Sequence, residues 1–323
     1  MRKHLSLFVG FGLAVTSFGC DDGAVDDATA VETKQSAVQD SELAPTGRGI
    51  GTMNKFQNPS GNQNSGGNGK PGGSGLSENG IFFHGGPVML GTVNIYYIWY
   101  GNWGTNTAAQ ILPDLAGSLG GSPYYNINST YTSGAGVHLS NSVAYGGATT
   151  STLTLGNSLS DSQIQSIVSN AITTGALPGD TNGVYFVLTS SEVTASSGFC
   201  TQYCGWHTHA TIGGADIKYA FIGNPDRCPS SCAAQTVSPN GNAGADGMAS
   251  IIAHELEEAA SDPDLNAWYD RRGYENADKC AWTFGTTYTA DGGGLANMKL
   301  GSRDFLIQRN WVNASGGFCA AGI

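Results

Sequence analysis

The sequence predicts a mixed fold of the α/β (α+β) class: one domain over residues 76–323, with a sheet beside a chemistry-bearing helix and loops stapled by disulfides. Three observations predict it. Runs of β-branched and aromatic residues recur beyond residue 80, at 93–100, 184–188 and 217–222. Two stretches with apolar residues at helical spacing interleave with or follow them, at 163–174 and 246–260. Six of the seven cysteines lie in the same region.

Along the chain, Arg2 and Lys3 precede an apolar stretch from Leu5 to Phe18, the layout of a secretory signal. It closes on Thr16-Ser17-Phe18-Gly19-Cys20, which resembles a bacterial lipobox with Ser17 where leucine is commonest. Residues 1–20 therefore read as a lipoprotein-type signal peptide with Cys20 as the lipidation site; an ordinary signal peptide is the alternative. Lipidation leaves an even six cysteines to pair, in a chain exported to the bacterial cell envelope or beyond it. Residues 21–75 are polar and end in Gly/Asn/Ser-rich sequence, too poor in apolar side chains to offset the entropy of ordering, so they read as a flexible tether. The folded part should begin near Ile81.

Within the domain, Val93 to Tyr100 reads as a strand buried on both faces, and 134–154 as a long Gly/Ser/Asn loop. Gln163 to Thr174 reads as a helix with Ile164, Ile167, Val168, Ala171 and Ile172 on one face, Asp161 as cap and Gly175 as stop. Two further strands, 184–188 and 217–222, precede a second loop, 225–247, and the helix 246–260, which Asp262-Pro263 ends. With 14 basic against 25 acidic residues, net charge -11 and no basic run beyond residue 3, nucleic acid is excluded as a partner. No apolar run after the N-terminus approaches the roughly 20 residues of a membrane-spanning helix, so membrane contact is expected only through the lipid anchor.

The helix 246–260 carries the chemistry. At about 100° per residue, Met248, Ile251, Ile252, Leu256 and Ala259 form an apolar arc. Glu257 lies nearly opposite that arc and reads as a solvated acid. Glu255 falls inside it, where a carboxylate is costly without a compensating charge or metal. His254 and Glu258 are one turn apart and converge on one point. This is the logic of His-Glu-x-x-His, in which i and i+4 ligands grip zinc and the intervening glutamate is the general base. Here Glu258 replaces the second histidine, a more anionic but acceptable ligand.

Eight of the eighteen acids beyond residue 75 lie between 255 and 278, a density that repels itself unless cations occupy it. Glu275 is the favoured third ligand, with Asp278 orienting His254; Asp264 and Asp262 are alternatives. Asp262, Asp264, Asn266 and Asp270 also stand at positions one, three, five and nine of an EF-hand-like loop, so calcium through Asp262, Asp264 and Asp270 is the rival or additional cofactor. Ala267 and Gly273 occupy the places of its turn glycine and bidentate glutamate.

Cys200, Cys204, Cys228 and Cys232 admit a four-thiolate zinc site, but export favours disulfides among these four, Cys280 and Cys319, with the pairing open. His207 or His209 could reach the metal as ligand or proton donor; His84 reads as structural. There is no Gly-x-Ser-x-Gly elbow, so a serine hydrolase is disfavoured.

The landmarks Phe83-His84-Gly85-Gly86-Pro87-Val88, Val93 through Gly101, Gly198-Phe199-Cys200 with Cys204-Gly205-Trp206-His207, Cys228-Pro229, and Pro239-Asn240-Gly241 through Met248 occur in order. They resemble the EXORDIUM or phosphate-induced protein family of plant cell walls. The resemblance covers most of residues 80–323 and implies the fold, export and disulfides. The plant members are extracellular and linked to cell expansion, with no agreed biochemical activity. The His254-Glu255 pair, with Glu258, Glu275 and Asp278, looks like a microbial branch with a zincin-type site. The expected function is thus a zincin-like, zinc-dependent peptide hydrolase: His254, Glu258 and Glu275 hold the metal, with Asp278 beside them, and Glu255 is the base. The alternative is a non-catalytic cell-surface or cell-wall module that binds polysaccharide or a partner protein and holds structural calcium.

Overall fold

The computed structural model describes residues 44–47, 51 and 80–323. The signal peptide 1–20, Cys20 and most of the tether lie outside the described residues.

The centre is a five-stranded mixed sheet. Its strands are β1 (Val93–Tyr100), β2 (Val143–Ser151), β3 (Gly183–Thr189), β4 (Gly205–Ile212) and β5 (Ala215–Ile222), in the order β2-β1-β3-β5-β4. All neighbours are parallel except β4, which runs antiparallel to β5 at the edge. The hairpin between them turns on Gly213 and Gly214, both at positive φ, as a tight two-residue turn requires. Ile95, Tyr97, Ile98 and Tyr100 are fully buried, as are the side chains of β3 from Val184 to Leu188. A parallel strand covered on both faces demands such a continuous apolar run.

Strand β2 occupies part of the expected 134–154 loop. Its alternation is faint because its side chains are small, and Gly146 is set by contact: a Cβ there would come 2.4 Å from the Tyr96 ring. The β1–β2 register shifts at that point, a bulge that a glycine in a strand often marks.

Helix α1 (Ala108–Leu119) buries Ile111, Leu112, Leu115 and Leu119 against β2 and the later helix α3 (Ala243–Ser261). Sequence reading missed α1 because Pro113 and Gly117 interrupt it. Helix α2 (Asp161–Thr173) packs against β1, β3, β4 and β5. Its cap is Ser160, not Asp161: the Ser160 hydroxyl accepts from Gln163 N while Gln163 Oε1 accepts from Ser160 N, a reciprocal capping box. Asp161 stands instead in the first turn.

Helix α3 begins three residues before the predicted start, at an Asn242 cap that accepts from Ala245 N. It ends at Asp262, whose carboxylate takes the N–H groups of Asn266 and Ala267 at 2.6 Å. Nearly every side chain of α3 is buried, the mark of a helix enclosed on all sides. The sheet lies against it through β3, β4 and β5, and α1 lies beside it. The chain after residue 268 covers its remaining face with short hairpins, including Met298–Leu300 with Arg303–Phe305 and Asn310–Val312 with Phe318–Ala320.

The six cysteines pair as Cys200–Cys228, Cys204–Cys232 and Cys280–Cys319. The first two tie the entry to β4 to the segment Pro225–Cys232, part of which packs on α3. The third ties the covering segment to the C-terminal hairpin.

Candidate metal centre

Strand β4 lies so close to α3 that only glycine fits at its first position. A Cβ on Gly205 would stand 2.5 Å from Ile251 Cγ2 and 3.0 Å from Glu255 Oε1. That close approach carries His207, two residues on, against the C-terminal half of α3. From the other side, the segment from Glu275 to the short helical turn Asp278–Cys280 folds back on the same turns. Seven ionisable side chains then meet in the interior: His207 from β4; His254, Glu255 and Glu258 from α3; Asp262 at its end; and Glu275 and Asp278.

Two histidine–carboxylate groups share Glu258. His254 Nε2 is 3.0 Å from Glu258 Oε1 and 3.6 Å from Asp278 Oδ1. Asp278 N donates to that same Glu258 oxygen at 3.0 Å. The other group joins His207, Glu255 and Glu258, with His207 Nε2 3.8 Å from Glu258 Oε2. Glu275 stands at this second histidine, its Oε1 3.1 Å from His207 Nε2, and belongs to neither group. Among the described residues, His254 Nδ1 and Asp262 Oδ2 are buried without a hydrogen bond.

Burial and mutual repulsion dominate the electrostatics. Burial pushes the Asp278 carboxyl up to about 7, with Glu258 adding to the rise and His254 opposing it. Burial likewise raises Asp262 to about 7 against the two backbone N–H groups it accepts. Glu275 rises well above the usual range through burial and the charges of Glu258, Asp262, Asp278 and Glu255. Burial opposes charge on His254, but Glu258, Asp278 and Glu255 more than offset it and raise its pKa. His207 goes the other way, lowered to about 4 chiefly by burial. The His207–Glu275 contact has ion-pair geometry, yet burial drives both partners neutral, so we read it as a hydrogen bond between neutral groups. A neutral imidazole is also the form that ligates metal.

The donor set fits a cation. Imidazole nitrogen and carboxylate oxygen suit zinc and its first-row neighbours, and buried His254 Nδ1 and Asp262 Oδ2 have no hydrogen-bond partner. Burying so many carboxylates is unfavourable unless positive charge compensates them.

Glu257 corrects the sequence reading. It is 0% exposed, and Asn310 Nδ2 donates to its Oε2 at 2.5 Å. The helical wheel assigned the side opposite the apolar arc to water; the C-terminal hairpin covers it instead. Asp264 lies apart from His254, 3.3 Å from Lys218 Nζ and 3.5 Å from His209 Nδ1. Asp270 Oδ2 takes Lys279 Nζ at 3.1 Å, and its Oδ1 takes the N–H groups of Arg272 and Tyr274. Among the described residues, Asp262, Asp264 and Asp270 do not fall together in a group of ligand atoms within 4.8 Å of one another. His84 stacks on Tyr269 at 3.6 Å, in keeping with a structural role. His207 is the site residue that sequence left undecided; its only signal was proximity to Cys204-Gly205.

Fold and site together define a disulfide-stapled α/β domain with a buried histidine–carboxylate cluster. A family profile described as "Phosphate-induced protein 1 conserved region" matches residues 81–302, and the chain belongs to that family. It is 32% identical over 269 residues to Protein EXORDIUM-like 3 of Arabidopsis thaliana, covering 71% of this chain and 79% of the relative. It is 31% identical over 274 residues to Protein EXORDIUM-like 5 of the same plant, covering 71% and 74%. Protein PHOSPHATE-INDUCED 1 of Nicotiana tabacum is 30% identical over 216 residues, covering 58% and 66%. No solved structure matches. Three disulfides fit an exported protein, and among the described residues no helix is long and apolar enough to cross a membrane.

Proposed function

We propose that this protein is an exported zinc-dependent peptide hydrolase with a zincin-like site on α3. The observation that carries the reading is the convergence of His254 Nε2, Glu258 Oε1 and Asp278 Oδ1 in a buried cluster of carboxyl groups whose ionised form a cation would balance. These three residues would hold zinc, with Asp278 taking the place first expected of Glu275. Bound zinc supplies a Lewis acid that makes water acidic near neutral pH. Glu255, one residue from His254 and grouped with Glu258 and His207, takes a proton from the attacking water and passes it to the leaving amine. Glu258 is steadied by the Asp278 backbone N–H. His207 contacts Glu258 and Glu275 and keeps both carboxylates turned toward the cluster. Export through the signal peptide, with Cys20 as a lipid anchor, places the activity in a bacterial cell envelope or outside the cell.

A second reading draws on the complete burial of the cluster, which suits a structural ion. In it the protein is a non-catalytic surface module that binds cell-wall polysaccharide and holds calcium. A casein or peptide assay separates the two. The hydrolase reading predicts that Glu255→Gln retains its bound metal and loses activity by about 10²–10⁴-fold, the usual contribution of a general base. Unchanged activity in Glu255→Gln would sink it.

A further inference from the structure

Strand β4 is the outer edge of the sheet, and an edge strand presents backbone groups to which another extended chain can pair. That edge is taken. His207 N donates to Gly47 O at 2.8 Å, and Gly51 forms an antiparallel bridge with Tyr203. The two contacts are four residues apart on each chain, so they belong to one antiparallel register. Trp282 fastens the far end, its Nε1 donating to Gly51 O at 2.8 Å.

Gly47 is specific to this seat. Its φ is +67°, and a Cβ there would stand 2.1 Å from His207 O. Of β4, the residue so held is His207, which contacts Glu258 and Glu275. The Trp282 indole also lines a small recess with Ile251 and Leu306. Gly47 and Gly51 are thus each held by a backbone contact to the segment from Tyr203 to His207. The expected tether contains a docked portion that sequence composition did not signal.

We infer that Gly47 and Gly51 occupy a polypeptide-binding edge formed by Tyr203 to His207 at the start of β4, and that an extended peptide binds there, beside the metal centre, only when these two residues leave. The inference deepens the hydrolase reading and rests on it for the identity of the neighbouring site. Peptide pairing itself needs only β4 and Trp282.

The test uses the full-length chain, Gly47→Val, and a fluorescent peptide with the sequence of residues 42–52. All measurements are made with metal chelated and in a Glu255→Gln background, so that hydrolysis does not enter. Two results are expected. Backbone amides of 203–207 exchange at least tenfold faster in Gly47→Val, and the peptide binds that variant at least tenfold more tightly than it binds the parent. Trp282→Phe, which removes one hydrogen bond and keeps the ring, should shift both readouts in the same direction by a smaller factor. Equal exchange in parent and Gly47→Val, or equal peptide affinity for both, overturns the inference. Casein activity is scored separately in Gly47→Val with Glu255 intact and zinc supplied: its absence there, with the peptide result as expected, removes the hydrolase reading and leaves the occupied edge standing.

Discussion

Glu257 is fully buried in α3, its carboxyl oxygen accepting from Asn310 Nδ2 of the C-terminal hairpin. Burial holds its carboxyl well above the usual range. Glu257→Gln keeps the shape and the Asn310 contact, so thermal unfolding should find it as stable as the parent or more so. Glu257→Ala leaves a cavity and strands Asn310, and should cost about 2 kcal/mol. Gly205 gives a second prediction. Alanine there must displace Ile251 and Glu255, so Gly205→Ala should lose about 1–3 kcal/mol in denaturant unfolding and lose hydrolytic activity as well. His254, Glu255 and Glu258 could be singled out from spacing alone, because the helix period determines which of them share a face. His207 could not, because a strand residue gains its role from the packing of β4 on α3.

Among the elements, β1, α2, β3, β5 and α3 were readable because each carries a strong apolar pattern over its own length. α1 and β2 were not: a proline and two small-residue stretches hide their periods, and tertiary packing supplies what local propensity lacks. The disulfide pairing was equally beyond sequence, since six cysteines admit 15 connectivities. Cys204–Cys232 joins residues 28 apart immediately before β4, so it fixes the strand that carries His207. Replacing both cysteines by serine should lower stability by about 3–4 kcal/mol on chain-entropy grounds. It should also weaken zinc binding, which a competition titration with a chromogenic chelator would measure. A stability loss with zinc affinity unchanged would detach β4 from the metal centre.

For the molecule as a whole, the cluster makes stability depend on pH in a direction that metal reverses. In the metal-free chain, Asp262 and Asp278 titrate near 7 instead of near 4, and Glu275 and Glu257 are raised as well. Between about pH 4 and 7 the unfolded chain has given up protons that the folded chain still holds, so stability falls as pH rises through that window. His254, also raised, adds stability that is full below about 6.5 and is lost as pH rises through its folded value. His207, lowered to about 4, acts oppositely between about 4 and 6.5 and offsets only part of the fall. Chelated protein should therefore melt at a lower temperature at pH 8 than at pH 5. Added zinc should narrow or invert that difference, because its binding displaces the same protons and tightens with pH. Identical pH profiles with and without zinc would count against a metal at this site.

The most direct measurement is elemental analysis of the purified full-length protein beside its His254→Ala variant. The account predicts one zinc per chain in the parent and a loss of zinc in the variant. Stoichiometric calcium without zinc, or a zinc content that His254→Ala leaves unchanged, would contradict it.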